Sequence, residues 1–128
     1  MVDFNNKSFV PNHPIYYEFI RELRNLPEVS KGFIEQTYIT EDMQTEYMNK
    51  HKDDYFLCLV DGIPAGYVGV IDNDIRVCTF PGIGKRGIGT YMLGHIKEMY
   101  PKATARVKQD NEASIALFKK SGIPYELI

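Results

Sequence analysis

Apolar residues recur with a helical period in the stretch "NHPIYYEFIRELRNLP", where Ile15, Phe19, Leu23 and Leu26 form one stripe. Pro14 suits the first turn of such a helix, because its missing N–H would have no partner there, and Pro27 is expected to stop it. A second helix is predicted from Thr40 as N-cap to about Lys52. Glu41 and Asp42 stand in its first turn and Lys50 and Lys52 in its last, each sign favourable to the helix dipole. Residues 32–39 between the two are expected as loop or an irregular helical piece. A short first strand is expected at residues 7–10.

The period then changes. "DYFLCLV" is a continuous apolar run, as expected of a strand covered on both faces. "DG" at Asp61-Gly62 suits a tight hairpin, "AGYVGVI" follows as a strand, "DND" as a turn and "IRVCTF" as another strand, which together make an antiparallel meander. A helix with Ile88, Met92, Ile96 and Tyr100 on one face is predicted next, ended by Pro101. "ATARVKQ" reads as a strand, "NEASIALFKKS" as a helix closed by Gly122, and "PYELI" as a last short strand. A meander followed by strand, helix, strand, helix, strand predicts a mixed α/β sheet in one domain spanning residues 1–128.

Composition narrows the function classes. A chain of 128 residues that is 44% hydrophobic and 25% charged can bury a sizeable core. Its net charge of −2 gives no general reason to expect nucleic acid or an anionic membrane as partner. The N-terminus is polar and no apolar run approaches the roughly 20 residues of a membrane span, so no leader or anchor is expected. Cys58 and Cys78 lie in apolar runs without C-x-x-C spacing, which predicts two reduced core thiols in a cytoplasmic protein and no metal site.

The stretch "FPGIGKRGIGTYML", residues 80–93, carries the candidate chemistry. Gly82, Gly84 and Gly87 match G-x-G-x-x-G, but a dinucleotide fold needs further βα units after the acidic residue and a parallel first strand, and this sequence offers neither. A P-loop needs Gly-Lys followed by Ser or Thr, and Arg86 follows Lys85. What remains is a pyrophosphate cradle at a helix N-terminus. There, backbone N–H groups and the helix dipole hold an anion, Gly87 and Gly89 let it approach the main chain, and Lys85 and Arg86 raise the potential.

The flanks make this specific. "PGIGKRGIGTYML" resembles the acetyl-CoA-binding motif of the GNAT superfamily of acyl-CoA-dependent N-acyltransferases, in a phrase like P-x-x-R-G-K-G-I-G, with Pro81, Lys85, Arg86, Gly87, Ile88 and Gly89 in register. "VKQDNEASIALFKKSGI" resembles the family's second signature, with Asn111, Ala113, Ser114, Phe118, Lys120 and Gly122 in the expected places. "RNLPEVSKGF" and "ITEDMQTEY" look like members that acetylate amino sugars or ribosomal-protein N-termini.

The resemblance implies a GNAT-like fold that moves an acetyl group from acetyl-CoA to a primary amine on a small molecule or peptide. The cofactor would be held by the run Lys85 through Thr90, with Asn111 on the cofactor arm and Ser114 and Phe118 along the same groove. It also implies that the pantetheine arm lies where the meander-side strands splay, along the edge of "IRVCTF", with Val77 and Thr79 as backbone contacts and a main-chain N–H polarising the thioester carbonyl. No covalent intermediate is required.

The sequence departs from the family pattern in three places. Gly84 stands at the usual Arg or Gln position, and Phe118 stands where many members place a tyrosine acid, which leaves Ser114 or water to protonate the thiolate. The sequence shows one strand after the last helix where the family has a further one, and a homodimer completing the sheet at "PYELI" is expected. The alternative to a transferase is a GNAT-shaped module that binds CoA or a protein without catalysis. His13, His51 and His95, the turn carboxylates Asp72 and Asp74, and Tyr67 all have structural readings preferable to catalytic ones.

Overall fold

The computed structural model describes residues 2–34, 37–83 and 86–128. Strand β1 (Lys7–Pro11) is followed by a one-turn 3-10 helix (Pro14–Tyr16), α1 (Tyr17–Asn25), the single turn α2 (Pro27–Ser30) and α3 (Glu41–His51). The meander comprises β2 (Tyr55–Val60), β3 (Ile63–Ile71) and β4 (Asp74–Thr79), and then come α4 (Ile88–Met99), β5 (Ala105–Val107), α5 (Glu112–Ser121) and β6 (Tyr125–Leu127).

β1 to β4 form an antiparallel sheet in sequence order. Both of its tight connections are two-residue turns with positive φ at each central residue: Asp61 (51°) and Gly62 (77°), then Asp72 (53°) and Asn73 (64°). That geometry matches the twist of the flanking strands, which is why Asp-Gly and Asp-Asn stand there. β5 and β6 pair in parallel as a separate ribbon. The expected mixed sheet therefore divides, and an isolated parallel bridge between Asp74 and Thr104 joins its two parts.

Helices cover both faces, and β2 is apolar throughout for that reason. Tyr55, Leu57 and Leu59 pack with Ile20 and Leu23 of α1 and Met48 of α3. Cys58 and Val60 pack with Ile88, Met92, Leu93 and Ile96 of α4. Each such side chain, fully buried, contributes about 1.5–3 kcal/mol. Gly69 lets Tyr55 lie flat across β3: a Cβ there would fall 2.5 Å from the ring's Cε1.

The start of the first helix differs from expectation. Residues 14–16 form a 3-10 turn capped by His13 Nδ1, which accepts from Ile15 N–H at 3.2 Å, so Ile15 falls off the apolar stripe and is 71% exposed. Pro27 does not simply end the helix. Leu26 turns extended (ψ 131°) and Pro27 opens α2 as its first residue. Both cysteines are buried and free, and burial pushes the Cys78 thiol up to about 12. His51 pairs with Asp54 at 3.0 Å and His95 stacks on Phe9 at 4.4 Å, so all three histidines have structural roles.

Candidate active site

The site begins where the sheet divides. Ile75 N–H donates to Thr104 C=O at 2.8 Å, and Thr104 N–H donates to Asn73 C=O at 2.8 Å. At the other end of β4, Phe80 N–H turns the opposite way, to Ala65 C=O at 2.9 Å. Peptide groups alternate along a strand, so Val77 and Thr79 share the direction of Ile75 and aim their N–H and C=O at the side of β5. β5 has left by then: β4 pairs only with β3, and β5 only with β6. Among the described residues, two main-chain positions on this inner edge thus have no strand partner, although Cys78 Sγ donates to Thr79 C=O at 3.7 Å, and a ligand can pair with them as a strand would. Arg106 of β5 clips the apex of the split to Asp74 at 3.1 Å, a surface pair that adds little stability.

Beyond β4 the chain turns at Gly82 (φ 86°) and enters α4 through Gly87 in the left-handed conformation (φ 77°) with no side-chain cap. The first helical bond runs from Tyr91 N–H to Gly87 C=O at 2.9 Å, which leaves the N–H groups of Ile88, Gly89 and Thr90 without intrahelical partners. A Cβ built on Gly82 or Gly87 meets nothing within 4 Å, so the space over this helix end is open. The open space, free donors and dipole fit a pyrophosphate group. Arg86 is exposed beside it, its guanidinium 4.8 Å over the Phe4 ring. Gly84 and Lys85, on which part of the expected cradle falls, lie outside the described residues.

Three expected site residues have contacts within the chain. Gly89 is buried, and a Cβ there would fall 3.0 Å from both Leu117 methyls, so its lack of a side chain lets α4 approach α5. Asn111 is the N-cap of α5: its Oδ1 accepts from Ser114 N–H at 3.2 Å, and its Nδ2 lies 3.0 Å from the Cβ position of Gly32. Phe118, expected along the groove, is a core residue, 3% exposed with its ring 6.4 Å from that of Tyr125. Ser114 sits half-buried in the first turn of α5.

The contact between Asn111 and Gly32 belongs to a larger feature. Lys108, just after β5, donates through Nζ to Lys31 C=O at 3.0 Å. The segment after α2 therefore reaches the β5–α5 corner from the α1 side. On that side an open groove of about 200 Å³ is lined by Phe19, Glu22, Leu23 and Leu26 of the α1 region and by Phe80 at the exit of β4. A cavity of about 100 Å³ at the far end of α4, lined by Ile75, Tyr100 and Gly122 among others, lies away from the helix N-termini.

A polar cluster on the same face went unnoticed in the sequence. Tyr47 of α3 and Tyr55 of β2 share a hydrogen bond of 2.6 Å between their hydroxyls, and Arg76 of β4 donates from Nη1 to Tyr47 Oη at 2.9 Å. The Arg24 guanidinium of α1 lies 5.6 Å from the Phe33 ring centre and 5.9 Å from that of Tyr47. Burial pushes the phenols of Tyr55 and Tyr67 upward, so both stay protonated. The only signal in the sequence was a cation, Arg76, inside the otherwise apolar "IRVCTF". Among the described residues no group of His, Cys, Asp or Glu could hold a metal ion, and no helix is long and apolar enough to cross a membrane.

A meander whose last strand parts from a βαβ unit, with an uncapped glycine-led helix at the parting, is the architecture of a GNAT-type acyltransferase. The chain belongs to the acetyltransferase (GNAT) family, whose family model matches residues 17–123. No curated protein matches it. Among solved structures it is similar to spermidine N-acetyltransferase from Vibrio cholerae in complex with CoA and spermine (16% identity, TM-score 0.78, 92% of this chain and 80% of that one). It is likewise similar to the acetyltransferase (GNAT family) from Bacillus anthracis (15% identity, TM-score 0.74, 94% and 81%). A third similar structure is aminoglycoside acetyltransferase AAC(6')-Ib in complex with coenzyme A (16% identity, TM-score 0.68, 91% and 83%). At these identities the likeness is one of fold.

Proposed function

We propose that this protein binds acetyl-CoA in the cleft between β4 and β5 and transfers its acetyl group directly to a primary amine. The reading is carried by one observation: among the described residues, the β5-facing side of Val77 and Thr79 has no neighbouring strand, and it lies next to the uncapped N-terminus of α4. Family membership and CoA-bound relatives of the same fold support it.

Bound acetyl-CoA supplies the acyl carbonyl and the thiolate leaving group. The chain supplies position. The N–H groups of Ile88, Gly89 and Thr90 hold the pyrophosphate with Arg86 near it. Val77 and Thr79 pair with the amide-rich arm as a strand would, and a β4 N–H faces the carbonyl oxygen as negative charge develops. The amine must arrive neutral: a C–N bond forms as the C–S bond breaks, one amine proton leaves, and the thiolate takes up a proton. The Ser114 hydroxyl or water is the donor, since Phe118 offers none. The free, buried thiols of Cys58 and Cys78 suit a cytoplasmic setting.

The test is release of CoA thiol from acetyl-CoA in the presence of simple primary amines, with the N-acetylated product identified by mass. Amine-dependent release with matching product is expected. Saturable acetyl-CoA binding without turnover of any amine would leave a CoA-binding module in place of a transferase.

A further inference from the structure

The cluster built around Tyr47 has an imbalance of charge. Arg24 is half-buried and, among the described residues, has no carboxylate within 4 Å; it is held instead against the faces of Phe33 and Tyr47. Arg76 donates to Tyr47 Oη, and its nearest carboxylate, Asp74, is 3.9 Å away and already bonded to Arg106 at 3.1 Å. Two guanidiniums thus converge on Tyr47, with no carboxylate of the described residues between them. Partly burying charge without a counter-charge costs free energy, and the arrangement is explained if an outside anion completes it. Guanidinium pairs bind carboxylate and phosphate through parallel hydrogen bonds, and the Tyr47 and Tyr55 hydroxyls fix one of them in place.

The position gives this anion a meaning. Arg76, Cys78 and Phe80 alternate with Val77 and Thr79 along β4, so Arg76 is on the α1 and α3 face while its neighbour's main chain opens into the cleft. At about 3.4 Å per residue, the arginine pair lies within a small molecule's length of the open peptide groups. The segment bearing Phe33 covers the same face.

We infer that Arg24 and Arg76, with Tyr47, form an anion subsite that selects an acceptor carrying a carboxylate or phosphate near its primary amine, and that disfavours polycations. The inference rests on the acetyl-transfer reading for its substrate, and on the arginine cluster alone for its anion.

The experiment compares acetylation of O-phosphoethanolamine, β-alanine, ethanolamine and spermidine by the wild type and by the R24Q/R76Q double variant, with thermal melts confirming the fold. An Arg24→Lys, Arg76→Lys variant serves if the glutamines unfold the chain, and its lost bidentate bonds then lower the preference in part. The wild type is expected to favour an anionic amine over ethanolamine by about tenfold or more in kcat/KM, and the double variant to bring that ratio near one. The phosphate and carboxylate arms show which anion is preferred. Equal use of ethanolamine or spermidine, or an unchanged ratio in the variant, overturns the inference while leaving acetyl transfer intact. If no amine is acetylated, transfer falls, and an amide-resolved NMR titration with O-phosphoethanolamine decides the subsite. Saturable shifts at Tyr47 and Arg76 that vanish in R24Q/R76Q uphold it, and their absence in the wild type refutes it.

Discussion

Replacing Gly89 by alanine separates two explanations for a glycine in the first turn of α4: room for a ligand, or room for a neighbouring helix. Alanine is favoured over glycine in a helix by about 1 kcal/mol. Against that, the new Cβ would fall 3.0 Å from both Leu117 methyls, tighter than ordinary contact. Leu117 is half-buried and its methyls end a flexible side chain, so the clash costs about 1 kcal/mol, the low end of overpacking. The two effects nearly cancel, and G89A alone should unfold within about 0.5 kcal/mol of the wild type. Removing the obstruction exposes the balance. In an L117A background the same G89A change should stabilise by the full propensity, a coupling of about 1 kcal/mol, or about 3–5 °C in Tm. Urea unfolding of the four proteins measures the cycle, and acetyl-CoA titration of G89A supplies the control, with affinity expected within about twofold because the Cβ points to α5. Zero coupling together with a tenfold loss of acetyl-CoA affinity would refute the packing explanation and return Gly89 to the ligand.

Gly87 should behave differently: its φ of 77° penalises any side chain, so G87A should lose about 1 kcal/mol in urea unfolding, and G87N less, because asparagine tolerates this conformation. The Asp61 carboxyl is held below its usual range by hydrogen bonds from Asp3 N–H, the larger cause, and Asn6 Nδ2. That stabilisation is present above the unfolded carboxylate range near pH 4 and is lost as pH falls through the lower folded value. Thermal melts from pH 6 to 2 should therefore fall less steeply for D61N than for the wild type, and parallel curves would contradict the assignment. Burial raises both thiols, the Cys78 group to about 12, so Ellman's reagent should find almost no reactive thiol in native protein and both cysteines after denaturation.

Local chemistry made most of the elements legible. The two positive-φ turns at Asp61-Gly62 and Asp72-Asn73, the Thr40 cap, which accepts from Met43 N–H at 3.1 Å, and the Gly122 cap (φ 69°) all depend on neighbours a few residues away. What could not be read depends on distant pairing. The parting of β4 from β5 follows from β5 choosing β6, which no periodicity encodes and only the family resemblance led us to expect. Gly89 belongs to a pattern that invites a ligand reading, and its closeness to Leu117 of another helix appears only in the folded chain. Asn111 looked like a ligand residue because its segment matches a family signature; its capping bond and its contact with Gly32 require the folded chain. Arg24, Tyr47 and Arg76 come from a helix, a second helix and a strand, and nothing along the sequence joins them.

The central claim is that the cleft between β4 and β5 is a cofactor site. The most direct test is a calorimetric titration of the folded protein with acetyl-CoA at moderate salt. A saturable isotherm with one site per chain is predicted, because the β5-facing edge at Val77 and Thr79, without a strand partner among the described residues, and the N–H groups that open α4 together suit one such molecule. No saturable heat from protein shown to be folded would contradict the account, and would leave the open strand edge to a partner of another kind.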